Sequence, residues 1–185
     1  KNAKRGLPPV EPLYTQADAK ATLQYLVERS EDAPFEVAPG VTATFLEAGH
    51  ILGSAGVVLD IEERGRRFRL AFSGDLGRRE LKLLRDPVFQ ADVDYLIMEC
   101  TYGNKVHKPR EAAFEELRAV VKRAVAQGGK IIIPAFAVGR TQEIVYALHE
   151  MIERREVPRL PVYVDSPLAV SASDIFMEFK DYFDQ

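Results

Sequence analysis

The chain has 185 residues, 46% of them apolar, with 25 basic and 28 acidic side chains and a formal net charge of −3. That balance is ordinary for a globular protein. It excludes a uniformly basic nucleic-acid binder, though not a local basic surface, and no apolar run approaches the roughly 20 residues needed to span a bilayer. The single Cys100 excludes an internal disulfide framework and a CxxC zinc motif. With no charged start followed by an apolar core to suggest a secretion signal, the expected location is cytoplasmic, with no membrane partner. The chain starts at Lys1 rather than Met and stops at Gln185 inside a helical pattern, so it reads as a fragment of a longer protein.

Residues 1–14 hold three prolines and a basic start, and read as an extended entry loop. Thr15 is a candidate N-cap with Asp18 three residues on. Residues 17–29 then predict a helix with Ala21, Leu23, Leu26 and Val27 as its apolar stripe. After a polar turn at 30–34, Phe35 to Val37 predicts a short strand and Pro39-Gly40 a turn. Residues 41–48 alternate as a strand and deliver His50 to its end. Residues 56–62 and 67–72 are two strands joined by the hairpin signal Arg64-Gly65, and the second delivers Asp75. Residues 77–86 read as a charged loop or short helix. Residues 94–98 predict a compact buried strand that delivers Glu99.

Beyond this the period changes from strand to helix. Residues 109–127 predict a helix with Ala113, Phe114, Leu117, Val120, Val121 and Val125 at helical spacing, ended by Gly128-Gly129. A strand is expected at 130–134, a helix at 140–155 with Ile144, Val145, Leu148 and Ile152, and a strand at 161–164. Pro167 suits the first turn of a helix over 169–183, capped by Asp165 or Ser166. Helices alternating with strands predict a parallel α/β layer. The expected fold class is therefore α/β, with a mainly β first domain at 1–108 and an α/β second domain at 109–185.

Three polar groups stand at strand ends beside glycines or small-residue turns: His50 in Gly49-His50-Ile51-Leu52-Gly53-Ser54-Ala55, Asp75 in Ser73-Gly74-Asp75-Leu76-Gly77, and Glu99 in Glu99-Cys100-Thr101-Tyr102-Gly103-Asn104. Their near-even spacing is what successive strands give when their ends share one edge of a sheet. An imidazole and two carboxylates gathered there suit a divalent metal and the hydrolysis it supports. Each also has a purely structural reading: His50 as a loop histidine bonded to backbone, Asp75 as an Asx-turn residue, Glu99 as a half-buried turn-capping acid. A fourth stretch, residues 133–143, runs from an apolar strand through small residues into a helix. Gly139, Arg140 and Thr141 there offer free amides, a guanidinium and a hydroxyl to a phosphate, and Ser166 repeats the arrangement at the next strand end. A plain strand-to-helix connection is the alternative. His107 lies in a loop, His149 in a helix at the surface or in packing, and Cys100 reads as a small buried residue.

Together these stretches resemble the β-CASP branch of the metallo-β-lactamase superfamily, which contains RNA-processing nucleases such as the cleavage and polyadenylation endonuclease and its prokaryotic relatives. The resemblance runs from about Glu11 to the end and rests on EPLYTQADA, EAGHILGSAG, FSGDLG, ECTYGN, PAFAVGRTQE and VDSPLA, in that order. It implies part of a metallo-β-lactamase αββα sandwich followed by part of a β-CASP domain. It implies that His50 is a zinc ligand, that Asp75 bridges two Zn2+ ions, and that Glu99 is catalytic and works with a later histidine near the leaving group. A zinc-activated water attacking single-stranded RNA is the implied chemistry, and a homodimer is an arrangement found in the family. Cys100 stands where the family commonly has Ser. The HxHxDH motif and the later histidines of the family are absent from this sequence, so the ligand set here is too small to close a two-zinc site, and this chain alone is expected to be inactive. Competing readings are a non-catalytic β-CASP paralogue scaffolding an RNA-processing complex, a small-molecule metallo-hydrolase, and a plain α/β binding module.

Overall fold

The computed structural model describes residues 12–89 and 91–183. Most of the expected entry loop lies outside the described residues. Two compact units are present, Lys1–Ser30 and Glu31–Gln185. The sequence boundary near 108 falls within the second unit, between its sheet and its helices.

In the first unit α1 spans Gln16–Thr22 and passes into a 3-10 turn at Leu23–Tyr25. Its start is a complete capping box: the Thr15 hydroxyl accepts from the Asp18 amide, and the Asp18 carboxylate accepts from the Thr15 amide at 2.7 Å. The helix ends earlier than its apolar pattern predicts. Seven residues are too few to be stable on propensity alone, and Leu23, Leu26 and Val27 are exposed instead of forming a buried stripe.

The second unit begins with a five-stranded sheet: β1 (Phe35–Ala38), β2 (Val41–Glu47), β3 (Ala55–Glu63), β4 (Arg66–Phe72) and β5 (Tyr95–Ile97), in that spatial order. The first four form an antiparallel meander and β5 lies parallel to β4. Local chemistry explains the turns. Arg64 and Gly65 both have positive φ, 51° and 75°, which is the type I′ geometry that matches strand twist. At that end, ion pairs Arg67–Glu62 and Arg69–Asp60 cross between β3 and β4 at 2.9 and 2.7 Å. Ala43 on one face, and Val58 and Ala71 side by side on the other, are buried.

Two expectations are corrected here. The strand delivering Glu99 is present, but Tyr95, Leu96 and Ile97 are 58, 56 and 55% exposed. It is the outer strand, so its side chains stay more than half exposed. Residues 77–86 take the loop alternative of their expectation. The apolar segments 130–134 and 161–164 are not strands: a strand needs a hydrogen-bonded neighbour, and neither segment pairs with a described residue. Ile132 and Tyr163 stand 91 and 87% exposed.

Two helices match their sequence signals closely, α2 (Arg110–Ala126) and α3 (Arg140–Glu153), whereas α4 (Pro167–Glu178) starts at the expected proline but ends at Glu178 rather than 183 and is followed by a 3-10 turn at Lys180–Tyr182. Gly128, at φ 63°, ends α2 in a Schellman motif, with the Gly129 amide donating to the Ala124 carbonyl and the Gly128 amide to that of Val125. Ser166 caps α4 ahead of Pro167. The helical core gathers Val121, Leu148, Met151 and Val157, flanked by Phe114, Leu117 and Ile144. Met151 is completely buried, whereas Val120 and Val145 of the predicted stripes are 40 and 39% exposed. The fold is α/β, a sheet followed by packed helices.

Candidate active site

One edge of the sheet gathers the three candidate turns. Glu47 at the end of β2 pairs with Ala55 at the start of β3, while Phe72 at the end of β4 pairs with Val57 and, in parallel, with Ile97. The connections carrying His50, Asp75 and Glu99 therefore leave the sheet side by side.

The His50 turn is closed from within. The Ser54 hydroxyl accepts from the His50 and Ile51 amides at 3.0 and 3.2 Å. The Ser54 amide donates to the Ile51 carbonyl, and the Ala48 amide to the Ser54 carbonyl. Glu47, 9% exposed, accepts from the Gly49 amide at 2.6 Å. Gly49 has φ 62°, and a Cβ there would stand 2.8 Å from the Arg85 carbonyl oxygen, so only glycine fits. The imidazole of His50 is presented outward, exposed.

The Asp75 and Glu99 turns are clipped together at two points. The Leu76 amide donates to Glu99 Oε1 at 2.8 Å, and the Glu99 amide donates to Ser73 Oγ at 3.0 Å. The Ser73 amide continues the β4–β5 ladder to Ile97. The Gly77 amide bonds the Ala48 carbonyl at 2.8 Å and thereby joins the Asp75 turn to the His50 turn. A Cβ at Gly77 would collide with the Gly49 carbonyl, so the approach of these two turns requires glycine at that point. Asp75 itself is exposed, and its carboxylate has no hydrogen-bond or ion-pair partner among the described residues. Glu99 is half-buried. The Thr101 hydroxyl, then the Leu76 amide, the Thr101 amide and the charge of His50, hold its carboxyl below the ordinary carboxylate range. Glu99 is accordingly an ionised hydrogen-bond acceptor at neutral pH.

Cys100 is exposed rather than buried, because the outer strand before it is uncovered. His107 meets Tyr102 edge-on at 4.5 Å. His149 is exposed on α3, tilted against Tyr146.

The second group of candidates is also assembled, by a residue the motif reading passed over. Gln142, 9% exposed, donates to the Ala169 carbonyl at 3.0 Å and to Ser173 Oγ at 2.9 Å, which ties the start of α3 to the start of α4. Gly139–Thr141 and Ser166 thus belong to neighbouring helix starts. Gly139 is buried with φ 83°. Arg140 is exposed and pairs with Glu143 at 3.0 Å. The Ser166 hydroxyl accepts from the Ala169 amide at 3.3 Å. No hydrogen bond or ion pair among the described residues links these helix starts to the sheet edge.

Whether a metal fits is decided by the donor set. His50 and Asp75 offer a nitrogen and a carboxylate, both donor types that zinc takes, but a closed zinc site has four ligands. Among the described residues no cluster of three or more His, Cys, Asp or Glu side chains could hold a metal. The donors fit in kind and are too few in number to close a site.

A strand-edge cluster of this kind, followed by packed helices and the PAFAVGRTQE stretch, defines a class. Residues 141–185 match the Beta-Casp domain family, and the chain belongs to the β-CASP branch of the metallo-β-lactamase superfamily, a family that binds metal ions. Among its relatives are Ribonuclease TTHA0252 of Thermus thermophilus, 35% identical over 95% of this chain and 39% of the relative, and Transcription termination factor FttA of Thermococcus kodakarensis, 34% identical over 94% of this chain and 26% of that protein. Cleavage and polyadenylation specificity factor 73 of Drosophila melanogaster is 31% identical over 90% and 24%. The chain spans well under half the length of these relatives.

Proposed function

We propose that the protein carrying this chain is a zinc-dependent nuclease that hydrolyses phosphodiester bonds of single-stranded RNA. The observation that carries this is the joining of the His50, Asp75 and Glu99 turns along one sheet edge by the Leu76–Glu99, Glu99–Ser73 and Gly77–Ala48 hydrogen bonds. The relatives' names, a ribonuclease among them, support RNA as the substrate. In this reading His50 and Asp75 are two of the metal ligands, and the remaining ligands come from parts of the protein outside this stretch. A divalent metal held there supplies a Lewis acid and a water of lowered pKa. The chain's own residues do the positioning. Ser54 and Gly49 fix the direction of the imidazole, and the uncommitted Asp75 carboxylate keeps its lone pairs for the site. Glu99, ionised, accepts a hydrogen bond from the later histidine that would give its proton to the leaving oxygen, and so orients that donor. Gly139, Arg140, Thr141 and Ser166 border the phosphates further along the substrate. The same reading takes the domain boundary at 108/109.

The test is Glu99→Gln in the full-length protein, assayed on single-stranded RNA. Glutamine keeps an oxygen for the Leu76 amide and removes the charge. The metal content is expected to be unchanged while kcat falls about 100-fold or more. An unaltered kcat would remove Glu99 from the chemistry, and a protein that binds metal but cleaves no RNA would overturn the proposal.

A further inference from the structure

Loops 78–85 and 105–110 hold seven of the chain's 25 Lys and Arg residues but only one of its 28 Asp and Glu. They start just beyond Asp75 and Glu99. Their roots are joined by the Leu76–Glu99 bond at 2.8 Å, and further out the Arg110 guanidinium donates to the Glu80 carbonyl. The two basic loops thus meet, and both leave the sheet edge that carries the candidate active site, in a chain that is acidic overall.

Three of the seven cations are committed. Lys108 pairs with Glu116 at 2.5 Å, Arg110 holds Glu80, and Arg85 donates to the Asp181 carbonyl at 2.7 Å while lying over the Tyr182 ring. Arg78, Arg79, Lys82 and Lys105 are exposed and have no carboxylate partner among the described residues. Glu80 lies between these cations in sequence, but its carboxylate forms no ion pair among the described residues, and the Asp86 carboxylate accepts from the Glu80 amide at 2.6 Å. Two exposed aromatic rings stand beside these cations, Phe89 and Tyr102, each 55% exposed; Arg79 lies over the former at 5.6 Å, and Lys105 follows the latter by three residues. Four uncompensated cations in two joined loops repel one another, and a polyanion relieves that repulsion. Exposed rings near cations suit a strand whose bases are free to stack, which a duplex does not offer.

We propose that Arg78, Arg79, Lys82 and Lys105, with Tyr102 and Phe89 as stacking platforms, form a track that binds the sugar-phosphate backbone of single-stranded RNA and leads it to the sheet edge. The inference rests on the RNA-hydrolase reading and deepens it by naming where the substrate strand lies. It is separate from the Arg140 and Ser166 helix starts, which no hydrogen bond or ion pair among the described residues links to the sheet edge.

The experiment compares the full-length protein with a variant carrying Arg78→Gln, Arg79→Gln, Lys82→Gln and Lys105→Gln. These side chains are exposed and support no internal ion pair, so circular dichroism and melting should match wild type. Binding of a fluorescent single-stranded RNA is followed by anisotropy between 50 and 200 mM salt, with duplex RNA of equal length and a Lys122→Gln/Arg123→Gln variant on α2 as comparisons. The expected result is an affinity loss of about 10-fold or more at low salt and a salt slope shallower by about 2–3, since each single-strand phosphate contact contributes about 0.7. The α2 variant keeps its affinity, and wild type prefers the single strand. Unchanged affinity and slope in the quadruple variant, an equal loss in the α2 variant, a preference for duplex, or no RNA binding by wild type would each overturn the track. A wild type that binds RNA through these residues but does not cleave it would retain the track and reject the hydrolase reading.

Discussion

Glu31 and Glu47 bring two carboxylates close together beside the His50 turn, and their environments differ. Glu47 is satisfied by the Gly49 amide at 2.6 Å. Glu31 is not: burial first, then the charge of Glu47, pushes its carboxyl above the ordinary range, and Arg85, 4.0 Å away, only partly offsets this. A carboxyl whose folded pKa is raised holds its proton in the fold at a pH where the unfolded chain, with a value of about 4.3, has released it. Its stabilising contribution is therefore complete below that value and lost as pH rises through the raised one. At neutral pH the ionised Glu31 opposes folding. Glu31→Gln is expected to melt higher than wild type at pH 7, with the difference shrinking toward pH 4. A lower melting temperature at pH 7 would show that the Arg85 pairing dominates. The residues that hold the site, Ser54, Ser73 and Thr101, were less legible than His50, Asp75 and Glu99. A polar residue beside a glycine at a strand end can be read from sequence. Which amide a serine hydroxyl reaches depends on how two turns meet, 26 residues apart in the Glu99–Ser73 case.

The elements divide by how local their causes are. Capping chemistry acts within four residues, so the Thr15–Asp18 box, the Gly128-Gly129 stop and the Ser166–Pro167 start were all visible in the sequence. Strand formation depends on a distant partner, so apolar runs at 130–134 and 161–164 read as strands and are not paired with any described residue. The same nonlocality governs the buried faces of the helices. The stripe through Ile144, Val145, Leu148 and Ile152 located the face of α3 to within one residue, yet its deepest side chain is Met151, one turn beyond Leu148. Packing against α2 sets that rotation, through Val121, which is fully buried. Met151→Ala should cost about 2–5 kcal/mol of unfolding free energy in a urea titration, whereas Val145→Ala, at a 39% exposed site, should cost well under half of that. Equal costs would mean that the core is centred elsewhere on α3.

At the scale of the whole molecule, a sheet presents one edge of polar turns and a helical layer follows it in sequence. The ordered set of six motifs made the family legible, because each motif marks a strand end or a helix start that the fold reuses. The sequence lacks the HxHxDH pattern, and among the described residues no cluster of three or more His, Cys, Asp or Glu side chains could hold a metal. The two donors at the edge cannot close a four-ligand site, so the central claim is that His50 and Asp75 belong to a metal centre shared with other parts of the protein. The most direct test is the zinc content of the full-length protein, measured beside Asp75→Ala and together with cleavage of single-stranded RNA. Two zinc ions and cleavage in the wild type, both lost in a variant that remains folded, are the predicted result. Zinc absent from an intact wild type, or an Asp75→Ala protein that keeps its metal and its activity, would contradict the claim and leave the glycine turns as structural features only.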